Sequence, residues 1–547
     1  MSNPRIWASL DPFLESGAVL GRIQANAGFL KGLLDFDPYD IYRFYPQSSS
    51  ESHALSRALA AFAPDLWERG RLQVVDRSEL PRRLEREEHH VFHLSDCIVH
   101  PGLLAAMRNA HSGKIFPITS VTHSLSYARY GLEMLKHIGP FCTPRDAVVA
   151  TSRTAATVVR GFFGFLRRGY GLAQDSFPEP SVERIPLGVD LAAFSLPGAE
   201  EKKGARQTLG FGAETVFLVL ARLCHSSKMD FLPVLRAFHR LALAGRPLAG
   251  VRLVLAGWSD EGDWGRRTLE DLARNIGLPL TVVERPSEEA KLALYAASDV
   301  FLSPSDNLQE TFGLTLLEAQ ARGLPVIASD FDGYRDLVIH GETGILVPTI
   351  GPDITDEVDL AAPMAYDNHT HLQLAQRTAV DVAALAAAIG KLSDGPEARG
   401  RMALAARRNA EAYGWESVAG RYVELWESLW ARDVSGRPSA RHPAAIPYSE
   451  VFSGYATLTP GEGVRLALSR LGQAVYRGQD FPLVHAGLAG RISMETVRAL
   501  LVLARKPLDA AQLGERLAAA VPGLGAEGAQ AHVLWCLKHD LLERASE

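Results

Sequence analysis

The sequence predicts an α/β protein with two parallel-sheet domains and a smaller, mainly helical unit at its C-terminal end. Three observations carry this. Apolar runs of strand length alternate with helix-compatible stretches up to about residue 195, and the alternation begins again at Val216. The strand-like runs of the second series (216–222, 251–257 and 280–283) are apolar almost throughout, which suits a sheet covered on both faces. At 547 residues the chain is also too long for a single core.

Taken in order, residues 72–75, 90–94, 115–120 and 147–151 read as strands of a first domain spanning 1–190. In the stretch Arg184-Ile-Pro-Leu-Gly-Val-Asp190-Leu-Ala-Ala-Phe194, Pro and Gly interrupt regular structure and mark a connector. The second series forms a domain over 191–414. Polar and acidic residues interrupt it at 350–377, which reads as a surface insertion. His369 and His371 offer two metal ligands there, but no third is in view, so a solvated loop is expected. Residues 415–432 form an amphipathic helix rich in aromatics, and 433–447, rich in Pro, Ser, Arg and Ala, read as a linker.

A last unit covers 448–547, with helices expected at 461–471, 493–504, 510–520 and 529–539 in a winged-helix-like arrangement. Its Arg498, Arg505, Lys506 and Arg516 make no dense basic face, so a homodimer contact or a docked protein partner is expected there rather than nucleic acid.

A hydrophobic content of 47% and a charged content of 22% are those of an ordinary globular protein, and the net charge of −6 argues against broad attraction to nucleic acid or anionic lipid. Cys97, Cys142, Cys224 and Cys536 lack CxxC or metal-ligand spacing and read as reduced thiols. The start has no basic region followed by an apolar one, and no apolar run reaches membrane-spanning length. A soluble, cytoplasmic protein is the expectation.

The chemistry concentrates in Ser303-Pro-Ser-Asp-Asn-Leu-Gln-Glu310-Thr-Phe-Gly-Leu-Thr-Leu-Leu-Glu318, continuing through Ala-x-Gly-x-Pro-Val-Ile-Ala-Ser to Gly341-Glu-Thr-Gly-Ile-Leu-Val347. Glu310 stands just before an apolar helical stretch, where exposed backbone N–H groups can hold a phosphorylated ligand. Glu318 follows eight positions later, about 80° past two full helical turns, and so can still reach the ligand's other end. The segment reads as a nucleotide-sugar site.

Glu310-x7-Glu318 with these flanks resembles the donor-site signature of the retaining family 4 glycosyltransferases, which have the GT-B fold of two Rossmann-like domains facing a cleft. The resemblance implies a retaining transfer of a sugar from a nucleotide-diphosphate sugar, as co-substrate, to a hydroxyl acceptor (glycan, lipid, small molecule or protein). It implies that Glu318 accepts from the ribose hydroxyls and that Glu310 contacts the donor sugar near the reacting carbon. It also implies that the helix at 415–432 braces the first domain.

Arg222 and Lys228, after an apolar strand, are similar to the family's Arg…Lys pair, whose cations compensate the departing diphosphate in place of a metal. No metal and no bound cofactor are therefore expected. Their Arg-x5-Lys spacing is one residue longer than the commonest family form, and two solvated basic residues at a strand end are the other reading.

Backbone amides of Thr311, Phe312, Gly313 and Leu314 are expected to add phosphate contacts. Gly17, in Ser16-Gly-Ala-Val-Leu-Gly21, resembles the family's glycine loop, although a plain turn reads as well. His123 closes a strand where the family often places a histidine near the donor sugar; a core histidine is the alternative, and His93 and His100 are lesser candidates. Asp306 and Asn307 are expected to shape the sugar pocket, and the stretches 257–260 and 283–286, with Arg285, to flank the base. A sugar-nucleotide epimerase, a phosphorylase on the same fold, or a degenerate transferase serving as a partner-binding scaffold are the competing functions. The lysine context a phosphorylase needs for pyridoxal phosphate is not found.

Overall fold

The computed structural model describes residues 3–15, 21–259, 265–461 and 463–545. The chain divides into two compact units, one up to Ala445 and one from Ile446. Among the described residues no helix is long and apolar enough to cross a membrane.

The first unit holds two parallel sheets. One contains β1 (Ile6–Ser9), β2 (Ile41–Phe44), β3 (Leu72–Val74), β4 (His89–Leu94), β5 (Ile118–Val121), β6 (Asp146–Ala150) and β7 (Ser181–Arg184), in the order β3-β2-β1-β4-β5-β6-β7. The other contains β8 (Thr215–Arg222), β9 (Val251–Trp258), β10 (Leu280–Glu284), β11 (Val300–Ser303), β12 (Val326–Ser329) and β13 (Gly344–Val347), in the order β10-β9-β8-β11-β12-β13. Every paired strand in both sheets runs parallel to its neighbour. Each order reverses once, beside β1 and beside β8, and the crevice at such a reversal is where doubly wound sheets take ligands.

Apolar strands make these sheets two-sided. Phe217, Val219 and Leu253 enter a core on one face of the second sheet, and Leu218, Leu220 and Val254 enter another on the opposite face. The sequence expectation omitted β1, β2 and β7. β1 has four residues, all buried, with no alternation to signal a strand. β2 buries Arg43, whose guanidinium bonds Gln73 Oε1 at 2.9 Å and pairs with Glu87, so its charge disguises a central strand.

The helix Trp415–Trp430 returns to the first sheet, where Val418, Tyr422, Trp426 and Leu429 join the core beside Phe29 and Tyr42. Trp426 is fully buried, and its indole donates to Thr119 Oγ1 at 2.9 Å; removing that ring would cost about 3–5 kcal/mol. At the head of this helix, Trp415 lies against the helix Gly21–Phe36 and the connector, at three glycines. A Cβ at Gly28, Gly32 or Gly188 would come within 2.4, 2.8 and 2.5 Å of it. Beside it, Val189 bridges to Gly414, and the Val189 amide donates to Tyr413 O at 2.8 Å. Further on, the stretch at 439–442 lies on the first domain: Ser439 O accepts from Asn109 at 2.9 Å, and His442 Nε2 donates to Lys136 O at 2.8 Å.

The insertion is not a solvated loop. Two short strands, β14 (Thr349–Ile350) and β15 (Ala379–Val380), pair at its base, and helices Asp356–Ala361 and Asp367–Ala375 fill it. His369 is exposed, but His371 is fully buried.

The unit from Ile446 packs helices Met494–Leu503, Ala510–Ala520 and Ala526–Lys538 around Val497, Leu513 and Val533, with an antiparallel sheet of β16 (Arg465–Leu468), β17 (Leu508–Asp509) and β18 (Leu542–Arg544). The helix expected at 461–471 is a correction: β16 occupies it, followed by a helix Arg470–Tyr476. Ser469 ends the strand and caps that helix by accepting from Gly472 N at 2.9 Å. Gly472 is required because a Cβ there would lie 2.1 Å from Leu541 O.

Candidate active site

Between the two sheets lies a cavity of about 570 Å³, at the ends of β4, β5, β8 and β9. Its walls include Asp96, His123 and Ser124 from the first domain and Arg222, Lys228, Trp258, Lys291, Glu318 and residues 309–315 from the second. Thus Arg222, Lys228, Glu310, Glu318, His123 and the Thr311–Leu314 stretch surround one space. Gly17 lies outside the described residues, as does Asp260.

Gly313 starts the helix Leu314–Ala321 at φ +102°, a conformation that glycine adopts readily, and a Cβ there would lie 2.5 Å from the Tyr334 ring. Just before it, Glu310 pairs with Lys228 and accepts from Tyr334 Oη at 3.0 Å. Lys228 Nζ also reaches Tyr334 Oη at 3.1 Å, and Ser303 Oγ meets that hydroxyl at 2.8 Å. Burial opposes charge on both members of the pair. Even so, Lys228 and the Tyr334 hydroxyl hold the Glu310 carboxyl below its ordinary range, and Glu310 holds the Lys228 ammonium above its own.

Two amides expected to face a phosphate are engaged internally: Thr311 N and Phe312 N donate to Glu310 Oε1 at 3.2 and 3.3 Å. Arg222 Nη2 donates to Ser227 O at 3.0 Å and to Gln309 Oε1 at 3.2 Å.

Glu318 lies on the buried side of its helix. Lys291 Nζ stands 2.9 Å from Oε1, and Tyr295 Oη donates to Oε2 at 2.8 Å. Burial pushes the carboxyl up, and these two partners pull it only partly back. Burial also lowers His123 to about 4. Its Nε2 faces Ser95 O at 2.8 Å, and since a carbonyl only accepts, Nε2 carries the hydrogen and Nδ1 of the neutral ring is an acceptor.

Two expectations are corrected. Asp306 does not line the cavity; it sits behind it, accepting from Asp230 N at 3.4 Å, with Oδ1 buried and without a hydrogen-bond partner among the described residues, and burial raises it to about 7. Asn307 is likewise turned inward, donating to Ser226 O at 3.0 Å and accepting from Gln309 N at 3.0 Å. Arg285, expected beside the base, is exposed at φ +52° after β10, and its guanidinium donates to Ser259 O at 3.4 Å.

Sequence reasoning missed Tyr334, Lys291, Tyr295, Gln309 and Asp96. Lys291 and Tyr295 stand four apart on the helix Glu288–Ala297, a spacing that presents both to one side and could have been read. Tyr334 carried no such signal. Among the described residues no cluster of three or more His, Cys, Asp or Glu side chains is placed to hold a metal ion.

Residues 202–359 match the family model of glycosyl transferases group 1. The D-inositol 3-phosphate glycosyltransferase of Corynebacterium urealyticum is 31% identical over 265 residues, 48% of this chain and 54% of that protein. Its counterpart in Kineococcus radiotolerans is 33% identical over 272 residues, 47% and 53% of the two chains. The chain spans about half the length of these curated relatives. Among solved structures, a glycosyltransferase from Rickettsia africae superposes with a TM-score of 0.53 at 15% identity, over 79% of this chain and 100% of that one. The Anabaena protein HepE in complex with UDP gives 0.51 at 15% identity, over 77% and 99%. The two Rossmann-like domains facing a cleft are the GT-B fold.

Proposed function

We infer, from a chain whose residues 202–359 match the family model of glycosyl transferases group 1, that the cavity transfers a sugar from a nucleotide-diphosphate sugar to a hydroxyl acceptor with retention and without a metal ion. One observation carries this reading: two cations, Arg222 and Lys228, and the carboxylate of Glu310 converge on a cavity at the strand ends where both sheets reverse.

Arg222 and Lys228 supply the charge that a departing diphosphate needs. Arriving phosphate competes with Glu310 for Lys228 and releases the carboxylate towards the sugar hydroxyls. Glu318, fixed by Lys291 and Tyr295, keeps lone pairs for the ribose. The bond from the anomeric carbon to the phosphate oxygen breaks as the acceptor oxygen bonds that carbon on the same face, and the acceptor's proton passes to the leaving phosphate.

A panel of nucleotide sugars, with UDP-sugars first because HepE was crystallised with UDP, tests this by thermal shift and donor hydrolysis in EDTA. One donor should stabilise the protein and be turned over, with both effects lost in Glu318→Ala. A flat response to every donor would favour a degenerate transferase acting as a scaffold.

A further inference from the structure

We propose that His371 is a positioning residue which couples the meeting of the two domains to the orientation of Arg222, acting through the Gln309 amide. The proposal rests on the reading of the cavity given above.

His371 does not line the cavity. It arrives on the inserted helix Asp367–Ala375 and is fully buried between that helix and the 124–128 segment of the first domain. Its Nε2 stands 3.1 Å from Ser126 O and 2.8 Å from Ser126 Oγ. The carbonyl can only accept, so Nε2 carries the hydrogen. In the neutral ring Nδ1 is then a bare acceptor, and it lies 2.6 Å from Gln309 Nε2.

That contact settles which way the Gln309 amide faces. Its NH2 must point at His371, so its Oε1 points the other way and accepts from Arg222 Nη2 at 3.2 Å. The backbone of Gln309 is clamped as well: its N–H donates to Asn307 Oδ1 at 3.0 Å, and its carbonyl accepts from Ser124 Oγ at 2.7 Å. Ser124 and Ser126 both belong to the first domain. Tyr127 sets its ring edge-on to the imidazole at 5.3 Å, and Ala128 N donates to Asp367 Oδ1 at 3.3 Å.

The polarity of the whole chain of bonds, from Ser126 through His371 and Gln309 to Arg222, therefore depends on a first-domain carbonyl. When the domains separate, Ser126 no longer fixes the tautomer, the amide is free to turn, and Arg222 loses its side-chain acceptor while keeping Ser227 O. Arg222 thus holds both acceptors only in the closed arrangement.

Protonation of His371 has a related effect, since Nδ1–H would then oppose the Gln309 NH2. Burial holds the ring below its ordinary range, against the Ser126 carbonyl and Asp367, which favour its charge, while Arg222 disfavours it; Tyr127, Gln309 and Asn368 are uncharged neighbours.

The test is a double-mutant cycle on the full chain, with donor turnover and UDP affinity measured for wild type, His371→Ala, His371→Gln, Arg222→Ala and Arg222→Ala/His371→Ala. His371→Ala should lower kcat about tenfold, the effect of a lost hydrogen bond to a charged group, with donor KM within about threefold. His371→Gln, which can donate and accept, should recover most of the loss and abolish the acid limb of the wild-type kcat profile. The double variant should be no worse than Arg222→Ala.

Multiplying losses in the double variant, or a His371→Ala protein with wild-type kcat, would overturn the proposal. If no donor is turned over by wild type, the transfer reading fails, and the same cycle is read in the Kd for UDP: non-additivity sustains the coupling and additivity ends it.

Discussion

Tyr334 and Glu310 share a 3.0 Å hydrogen bond at Oε2, the same carboxylate oxygen that takes the Lys228 ammonium. The phenol is thus the hub of the site, touching both charges and Ser303 Oγ at once. Tyr334→Phe keeps the ring beneath Gly313 and deletes only the hub. Turnover should fall about tenfold while the melting temperature scarcely moves, since hydrogen bonds to ions carry most of that hydroxyl's value. Unaltered steady-state kinetics would remove Tyr334 from the site. Gly313→Ala should instead fail to bind donor, because it adds strain of about 1–3 kcal/mol to a clash with the same ring.

Glu318 and Lys291 form a buried pair at 2.9 Å, and breaking it from either side leaves an uncompensated charge. Glu318→Ala and Lys291→Met should each destabilise the protein by about 3–5 kcal/mol in urea titrations. The double variant Glu318→Leu/Lys291→Met should regain most of that stability and still bind no nucleotide sugar. Donor binding restored along with stability would mean that Glu318 serves the fold alone.

Asp306 gives a pH dependence of defined sign. Its carboxyl ordinarily titrates at 3.8 and is raised by burial to about 7, so the folded state holds a proton that the unfolded chain has released. Its contribution to stability therefore falls as pH rises from about 3.8 to about 7 and is level above. Asp306→Asn should lie close to wild type at pH 4 and exceed it at pH 8 by roughly 4 kcal/mol in denaturant titrations. Donor affinity should not change, because the residue stands behind the cavity; equal stabilities at both pH values would contradict the assignment of the buried charge.

His123, lowered to about 4, is neutral wherever the protein is assayed near neutrality and acts as an acceptor through Nδ1. His123→Ala should reduce kcat/KM about tenfold, by the same factor at every pH from 6 to 8. A ratio that changes across that interval would make the imidazole a proton carrier instead.

Most of the architecture was legible because apolar strand runs and the Glu310…Glu318 stretch are local patterns. The strands at 216–222 and 251–257 lie within a residue of their ends in the structure. What stayed hidden depends on partners distant in the chain. Tyr334 reaches Lys228 across 106 positions, and His371 reaches Ser126 across 245, so neither has a neighbour in sequence that hints at its role. The 350–377 stretch misled for a related reason: its polar composition is genuine, with Asp356, Glu357 and Asp359 in one first turn, but a single helix face turns inward. Asp306 was misplaced because a carboxylate in a Ser-Pro-Ser-Asp-Asn loop before the glutamate motif looks like a pocket group until the Asp230 amide is seen over it.

The chain passes between its two sheet domains twice, and the passages lie side by side, joined where Val189 meets Gly414 and plugged by Trp415 in its glycine-lined socket. A body with both crossings gathered at one point has a single joint. It can swing or twist there, but it cannot slide, because sliding would shear the bridge. The cavity reaches back to this joint at Leu187, so a rotation at the socket is felt along its wall. Side chains added at Gly28, Gly32 or Gly188 would jam the bearing, and they offer a mechanical handle on the protein separate from the chemistry of the cavity.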